Sequence, residues 1–188
     1  GEMSMFPVVD TPLGVLGTLT CTDIIFPEMS RALALQGAEV LIHPTAEPWS
    51  DGDQMWDVFR RSRANENLAY FLSVCAGAFV GSDRPRSGYR GHSQIIDHTG
   101  RVVSTAAGSG EAVCVGQVDI NALLEFRIRK PGTSGHEWNQ LFELRPDLFD
   151  AVIARTPRSP THAWSDKPAH SDAHNLARAP RSPYHTGD

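Results

Sequence analysis

The sequence predicts an α/β fold in which strands alternate with helices. An apolar, β-branched run at residues 13–20 is followed by a helical stretch at 29–36 and a second apolar run at 39–42. Strands joined through a helix in this way are typical of a parallel sheet. A longer and almost continuously apolar run, residues 71–81, fits a central strand that is buried on both faces.

The other predicted elements follow from turn residues and hydrophobic spacing. Residues 5–9 form an edge strand that turns at 10–14, and the strand at 39–42 ends at His43-Pro44-Thr45. Apolar side chains three and four positions apart predict a helix over 54–70. The pattern further predicts a hairpin at 94–97 and 101–106, a strand at 112–118, and a helix at 121–130 capped by Asn121.

Composition excludes several classes of function. The 188 residues carry a formal net charge of -5 and contain no basic run, which argues against a nucleic-acid partner. No apolar stretch reaches the roughly 18 residues that span a bilayer, so we expect no membrane partner. The three cysteines are an odd number within apolar runs, which favours a reduced, cytoplasmic protein. No metal-ligand spacing is found, and we expect no cofactor.

Cys21 lies where the first central strand leads toward a helix. Unpaired backbone N–H groups and the positive end of the helix dipole meet at such a position. This environment favours a thiolate and can hold an oxyanion. A cysteine at a strand end can equally be a small core residue, and placement alone leaves both interpretations open.

Several motifs together resemble the nitrilase superfamily, the carbon–nitrogen hydrolases. Cys21-Thr22-Asp23, followed by Phe26-Pro27-Glu28, resembles the nucleophile region of that family. Residues 63–67, Arg-Ala-Asn-Glu-Asn, resemble its Arg-Ala-x-Glu-Asn helix, and residues 91–97 resemble its Gly-x-Ser-x-Ile hairpin. The likeness covers residues 7 to about 120 and continues more weakly to 149.

The resemblance implies a four-layer αββα sandwich and a cysteine hydrolase. Cys21 would attack an amide or nitrile carbon, and the backbone N–H of Thr22 would bind the oxyanion. Thr45, Trp49 and His92 would line the substrate pocket. The residues expected to support the site from behind are Asp23, Glu28, Arg63, Glu66 and Asn67.

Two alternatives concern individual side chains. For Glu28, simple complementation of the helix dipole is as plausible as fixing the nucleophile loop. His43 is the histidine nearest to Cys21 in sequence, so a Cys21–His43 hydrolase of another lineage has to be considered. Arg60, Arg61 and Arg63 are interpreted as an ion-paired or solvated helix face, and Cys75 and Cys114 as core.

The sequence departs from the family pattern in one respect. The family's general-base glutamate and its lysine precede the cysteine, but only Glu2 and Asp10 are carboxylates before Cys21. Both lysines, Lys130 and Lys167, follow it. We therefore expect an N-terminal segment or a partner chain to supply Glu and Lys. The alternative is an inactive relic that serves as a binding or assembly module.

The predicted organisation is a C-terminal portion of a nitrilase-like domain at residues 1–150 and an extended Pro- and His-rich tail at 151–188. A sheet with one uncovered face favours association, so we expect a homo-oligomer. Cys-Thr-Asp is closer to the amidase and carbamoyl-hydrolase branches than to true nitrilases. The predicted small-molecule substrate is thus a linear amide or N-carbamoyl compound, with a nitrile as the alternative.

Overall fold

A single six-stranded mixed sheet organises the part of the chain that the structure describes. The computed structural model describes residues 6–47, 54–77, 89–106, 108, 110–128 and 141, all within one compact unit, Gly1–Leu144. The elements are β1 (Val8–Thr11), β2 (Gly14–Thr18), a 3₁₀ turn (Cys21–Ile25), α1 (Pro27–Leu35), β3 (Val40–Thr45), α2 (Met55–Glu66), β4 (Tyr70–Cys75), β5 (Gln94–Ile96), β6 (Val102–Thr105) and α3 (Ile120–Ile128).

The strands lie in the sheet in their order along the chain. The central strands β2, β3 and β4 are parallel, whereas β1 pairs with β2, β5 with β4 and β6 with β5 in antiparallel fashion. The predicted α/β class is therefore confirmed. Because the three parallel strands end at the same edge of the sheet, the segments that follow them can come together there.

Helices α1 and α2 cover one face of the sheet. Alternate side chains of the central strands, including Leu41 and Phe71, point into this layer and are fully buried. Gly17 permits the close approach of α1, since a Cβ at this position would lie 3.2 Å from side-chain atoms of Leu33 and Ala38. The largest hydrophobic cluster thus lies between the sheet and these two helices.

The opposite face of the sheet is less well covered. Leu16, Ile42 and Leu72 are only partly buried, and they pack with residues of α3 such as Leu123. Toward the carboxyl ends of the strands the cover decreases, and Val74 is 58% exposed. This face has the apolar character of an interior surface.

Strand β3 extends through the His-Pro-Thr sequence at which it was predicted to end. The carbonyl of Ile42 accepts a hydrogen bond from the N–H of Leu19, so the backbone groups of Ile42 and Pro44 both face β2. The register of β2 with β3 ends at Thr18 and Ile42. Pro44 has no N–H to donate, but it faces the side on which β2 has already ended, so no hydrogen bond of the sheet is lost. β3 therefore continues along β4.

Two predictions near the end of the described chain were wrong in detail. Residues 112–118 form no strand, and Val113 is 84% exposed. A Cβ on Gly116 would lie 3.1 Å from Val103 and 3.2 Å from Ile95, so the segment crosses the β5–β6 hairpin. The cap of α3 is Asp119, whose carboxylate accepts the N–H of Ala122 at 2.9 Å.

The predicted boundary between residues 150 and 151 and the tail that follows it lie outside the described residues and stay predictions. Within the described part, no helix is both long and apolar enough to cross a bilayer.

Candidate active site

Cys21 lies just beyond β2 and opens the 3₁₀ turn. Cys21 is partly exposed, and its φ of 49° places it in the left-handed region, which is uncommon for a residue with a Cβ. On one side, the N–H of Thr20 donates to the carboxylate of Asp23 at 2.8 Å. The first N–H groups of a helical turn have no acceptor within the turn, and Thr22 occupies such a position.

Helix α2 holds this turn from behind through Arg63. The guanidinium donates from Nε to the carbonyl of Ile24 at 2.9 Å and from Nη2 to the carbonyl of Ile25 at 3.2 Å. Glu66 accepts from Arg63 Nη1 at 2.9 Å. Asn67 donates to Ser30 Oγ of α1 at 3.1 Å and so links the two helices. These contacts satisfy the last carbonyls of the turn and fix it against α2.

His43 connects the middle of the sheet to Cys21. The ring is fully buried, with Nε2 at 2.9 Å from the carbonyl oxygen of Cys21 and Nδ1 at 3.2 Å from Ser73 Oγ. Burial lowers the pKa of His43, and the positive charge of Arg60 lowers it further. The hydrogen bond to the Cys21 carbonyl and the negative charge of Asp23 act in the opposite direction. Both ring nitrogens contact groups other than the Cys21 sulfur, so this geometry does not pair the imidazole with the thiol.

A buried ion pair lies beyond the carboxyl end of β3. Arg60 and Glu47 are both fully buried, and Arg60 Nη2 donates to Glu47 Oε2. Arg60 Nη1 also donates to the carbonyl of His92 at 3.0 Å and to Gln94 Oε1 at 3.2 Å. Burial raises the pKa of Glu47, and Arg60 opposes the rise. The pair joins α2 to two segments at the carboxyl edge of the sheet.

Asp57 and Arg90 form a second, partly exposed ion pair next to the first. Arg90 Nη2 donates to Asp57 at 2.6 Å, and the backbone N–H of Arg90 donates to the carbonyl of Glu47 at 3.0 Å. His92 Nδ1 lies 3.8 Å from Asp57. Gly91 and His92 both have positive φ, at 64° and 63°, so this loop turns sharply over the sheet edge. Burial lowers the pKa of His92.

The structure brings together most of the residues that sequence reasoning assigned to the site. Asp23, Arg63, Glu66 and Asn67 lie around the turn that carries Cys21. Thr45 is buried at the end of β3, and no hydrogen-bond partner of its Oγ1 is found. Glu28 is exposed in the first turn of α1, and Trp49 lies outside the described residues. The roles of these side chains stay predictions.

Sequence reasoning missed one charged residue, Glu47, which was passed over within a loop. Arg60 and Arg63 were interpreted as a solvated or ion-paired face; both form ion pairs, but both are buried and not solvated. The signal that was available is the helical spacing, which puts Arg60, Arg63 and Asn67 on the same side of α2 as Trp56.

The other two cysteines differ from Cys21 in their surroundings. Cys75 ends β4 and is 8% exposed, and burial raises the pKa of its thiol. Cys114 is partly exposed, as Cys21 is, but it lies in the extended segment over the β5–β6 hairpin. In the described chain, no group of three or more His, Cys, Asp or Glu side chains is arranged to hold a metal ion.

Comparison with known proteins gives consistent results. Residues 1–128 match the carbon–nitrogen hydrolase family model. The human deaminated glutathione amidase is 37% identical over 142 residues, which are 75% of this chain and 39% of that protein. The potato (Solanum tuberosum) N-carbamoylputrescine amidase is 32% identical over 165 residues, 82% of this chain and 52% of that protein. The chain thus spans about half or less of the length of these two relatives.

A solved structure supports the same assignment. Saccharomyces cerevisiae Nit3, described as a member of branch 10 of the nitrilase superfamily, superposes with a TM-score of 0.59 at 30% identity. The superposition covers 70% of this chain and 47% of Nit3. The predicted nitrilase-like α/β fold is confirmed, and a hydrolase of another lineage is excluded. The chain belongs to the carbon–nitrogen hydrolase family.

Proposed function

We propose that this chain carries the nucleophile of an amidase-type hydrolase of non-peptide carbon–nitrogen bonds. The observation that supports this most is the position of Cys21. Cys21 is partly exposed and is held in a left-handed backbone conformation at the carboxyl edge of the parallel strands. Strained backbone of this kind persists only where surrounding contacts enforce it, and here Asp23, His43 and Arg63 supply those contacts.

In the proposed reaction the Cys21 thiolate attacks the carbonyl carbon of an amide. The oxyanion that forms accepts a hydrogen bond from the N–H of Thr22. Collapse of this intermediate breaks the carbon–nitrogen bond, and the amine leaves with a proton from the general acid. The resulting thioester is then hydrolysed by water, which releases the carboxylic acid and restores the thiol.

The proposed reaction also needs a proton carrier and a lysine, and we assign neither role to a residue of this chain. In the family pattern a glutamate handles the protons and a lysine stabilises the intermediate, and we propose that an N-terminal segment or a partner chain supplies both. The support is twofold. The two lysines of this chain follow Cys21 in sequence. The sheet face bearing Leu16, Ile42 and Leu72 is also incompletely covered, and covering it would remove apolar surface from water.

For the substrate we propose a linear amide or an N-carbamoyl compound. The support is the Cys-Thr-Asp sequence and the names of the relatives, which are amidases acting on deaminated glutathione and N-carbamoylputrescine. A nitrile is the second candidate. We further propose that the protein is cytoplasmic, which is supported by its three free cysteines. We also propose that it is a homo-oligomer, in which a second copy would cover any part of the apolar sheet face that the segment leaves exposed.

A comparison of three substrates distinguishes an amide, an N-carbamoyl compound and a nitrile as the substrate class. The chain, alone and co-expressed with a segment that carries the family's Glu and Lys, is incubated with a linear primary amide, an N-carbamoyl amine and a nitrile, and release of ammonia is measured. Hydrolysis of the amide or carbamoyl compound is expected only when the segment is present. A matched segment with Gln in place of its Glu serves as the control.

Two results would count against the proposal. Preferential hydrolysis of the nitrile would overturn the substrate class. A co-purifying complex without turnover of any compound would instead support the inactive assembly module.

A further inference from the structure

We propose that His43 is a positioning residue that holds the backbone of Cys21 in its reactive conformation. The inference rests on the proposed function for its catalytic meaning, but its contacts are independent of any substrate. His43 reaches Cys21 from the middle of β3, across 22 positions of sequence, and bonds the carbonyl oxygen of the cysteine itself. A histidine in the fully buried interior of a sheet needs partners for both ring nitrogens, and this one has them.

The partners fix the protonation of the ring. A carbonyl oxygen can only accept a hydrogen bond, so the Nε2 atom that lies 2.9 Å from Cys21 O carries the proton. In the neutral ring Nδ1 then has a lone pair, and Ser73 Oγ donates to it at 3.2 Å. Ser73 lies directly beside His43, in register on β4. Two hydrogen bonds therefore connect Ser73 of β4 through His43 of β3 to the backbone of Cys21.

These hydrogen bonds act at a residue whose backbone conformation is strained. The left-handed φ of 49° at Cys21 is unfavourable for a residue with a Cβ and has to be maintained by its neighbours. The carbonyl of Thr20, in the peptide group before the cysteine, accepts the backbone N–H of Asp23 at 3.0 Å, and the carbonyl of Cys21, in the peptide group after it, accepts the ring N–H of His43. With both peptide groups fixed, the direction of the Cα–Cβ bond is fixed, and the thiol points to one place.

The test compares three replacements of His43 in the chain. His43→Gln keeps an N–H donor at about the distance of Nε2, whereas His43→Asn carries the same amide on a shorter side chain that stops near Nδ1. His43→Phe keeps the ring and its packing against Phe71, whose ring centroid is 5.5 Å away, but has no donor. The readout is the rate of Cys21 alkylation by iodoacetamide divided by the rate at Cys114, with the urea midpoint measured in parallel.

We expect His43→Gln to keep the alkylation ratio close to that of the original chain. His43→Asn and His43→Phe are expected to lower the ratio roughly tenfold, the value of one hydrogen bond. An unchanged ratio in a folded His43→Phe or His43→Asn variant would overturn the proposal. If His43→Phe does not fold, the comparison of Gln with Asn still decides, because equal ratios in these two would contradict a role for the donor position.

Kinetic measurements distinguish this inference from the proposed function. They use the assembled enzyme, which is the chain together with the segment that supplies Glu and Lys. Since His43 does not contact substrate in this account, its replacement by Asn is expected to lower kcat while KM for the amide stays unchanged. A rise in KM alone would contradict positioning of the nucleophile. If the assembled enzyme shows no turnover, the proposed function fails, whereas the alkylation ratio still tests the contact between His43 and Cys21.

Discussion

Replacement of Cys21 by alanine is expected to abolish amide hydrolysis by the assembled enzyme. Without the thiol no thioester can form, and loss of a covalent nucleophile lowers kcat by roughly 10⁴- to 10⁶-fold. The fold should persist, because Cys21 is only partly buried and its backbone contacts do not involve sulfur. The measurement is ammonia release under saturating amide, with the urea midpoint as the check on folding.

Cys114→Ser provides the matched control. Cys114 is also partly exposed, so a general sensitivity to loss of an accessible thiol would affect both variants. We expect Cys114→Ser to retain the original kcat and KM. Residual activity of the Cys21→Ala protein within tenfold of the original would contradict its assignment as the nucleophile.

The second large effect is expected at the buried ion pair. Arg60→Met removes the positive charge and leaves the Glu47 carboxylate buried without its partner. Removing one member of such a pair typically costs about 3–5 kcal/mol in the free energy of unfolding. The variant is expected to lose this amount in urea unfolding at pH 7. The double variant Arg60→Met/Glu47→Gln, which has no buried charge at this position, should recover a large part of it.

The destabilisation of Arg60→Met should also depend on pH. Burial raises the pKa of Glu47, and without Arg60 nothing in the pair opposes the rise. A carboxyl whose folded-state pKa lies above its unfolded value is most favourable below the latter, and it loses stability as pH rises through the folded value. The variant is therefore expected to be closest to the original chain below pH 4.5, the ordinary glutamate value, and furthest from it at neutral and higher pH. A destabilisation that does not change with pH would contradict the assignment to Glu47.

Local sequence patterns predicted the main strands, the helices and the position of Cys21 well. The reason is that turn residues, the helical spacing and β-branched runs act over a few neighbouring residues. The roles of Asp23 and Arg63 beneath the nucleophile were implied by the family motifs, and the structure shows the hydrogen bonds they make.

Contacts between distant parts of the chain could not be predicted in this way. The Glu47–Arg60 pair joins a loop to a helix, and nothing in either local pattern shows that both side chains are buried. Pro44 was interpreted as the end of a strand because the sequence does not show where β2 ends relative to β3. That position depends on the register of the two strands. The bond from His43 to the Cys21 carbonyl likewise follows from the order of β2 and β3 in the sheet.

Competition between the three cysteines for a limiting amount of iodoacetamide shows whether the position of Cys21 in the fold makes its thiol reactive. The native chain is alkylated at pH 7, quenched and digested, and the modified peptides are quantified by mass spectrometry. Cys21 is expected to be modified first, several-fold ahead of Cys114, which is also partly exposed, and Cys75 is expected to react last because it is buried. Modification of Cys114 before Cys21, or equal rates at the two, would contradict a nucleophile activated by its position in the fold.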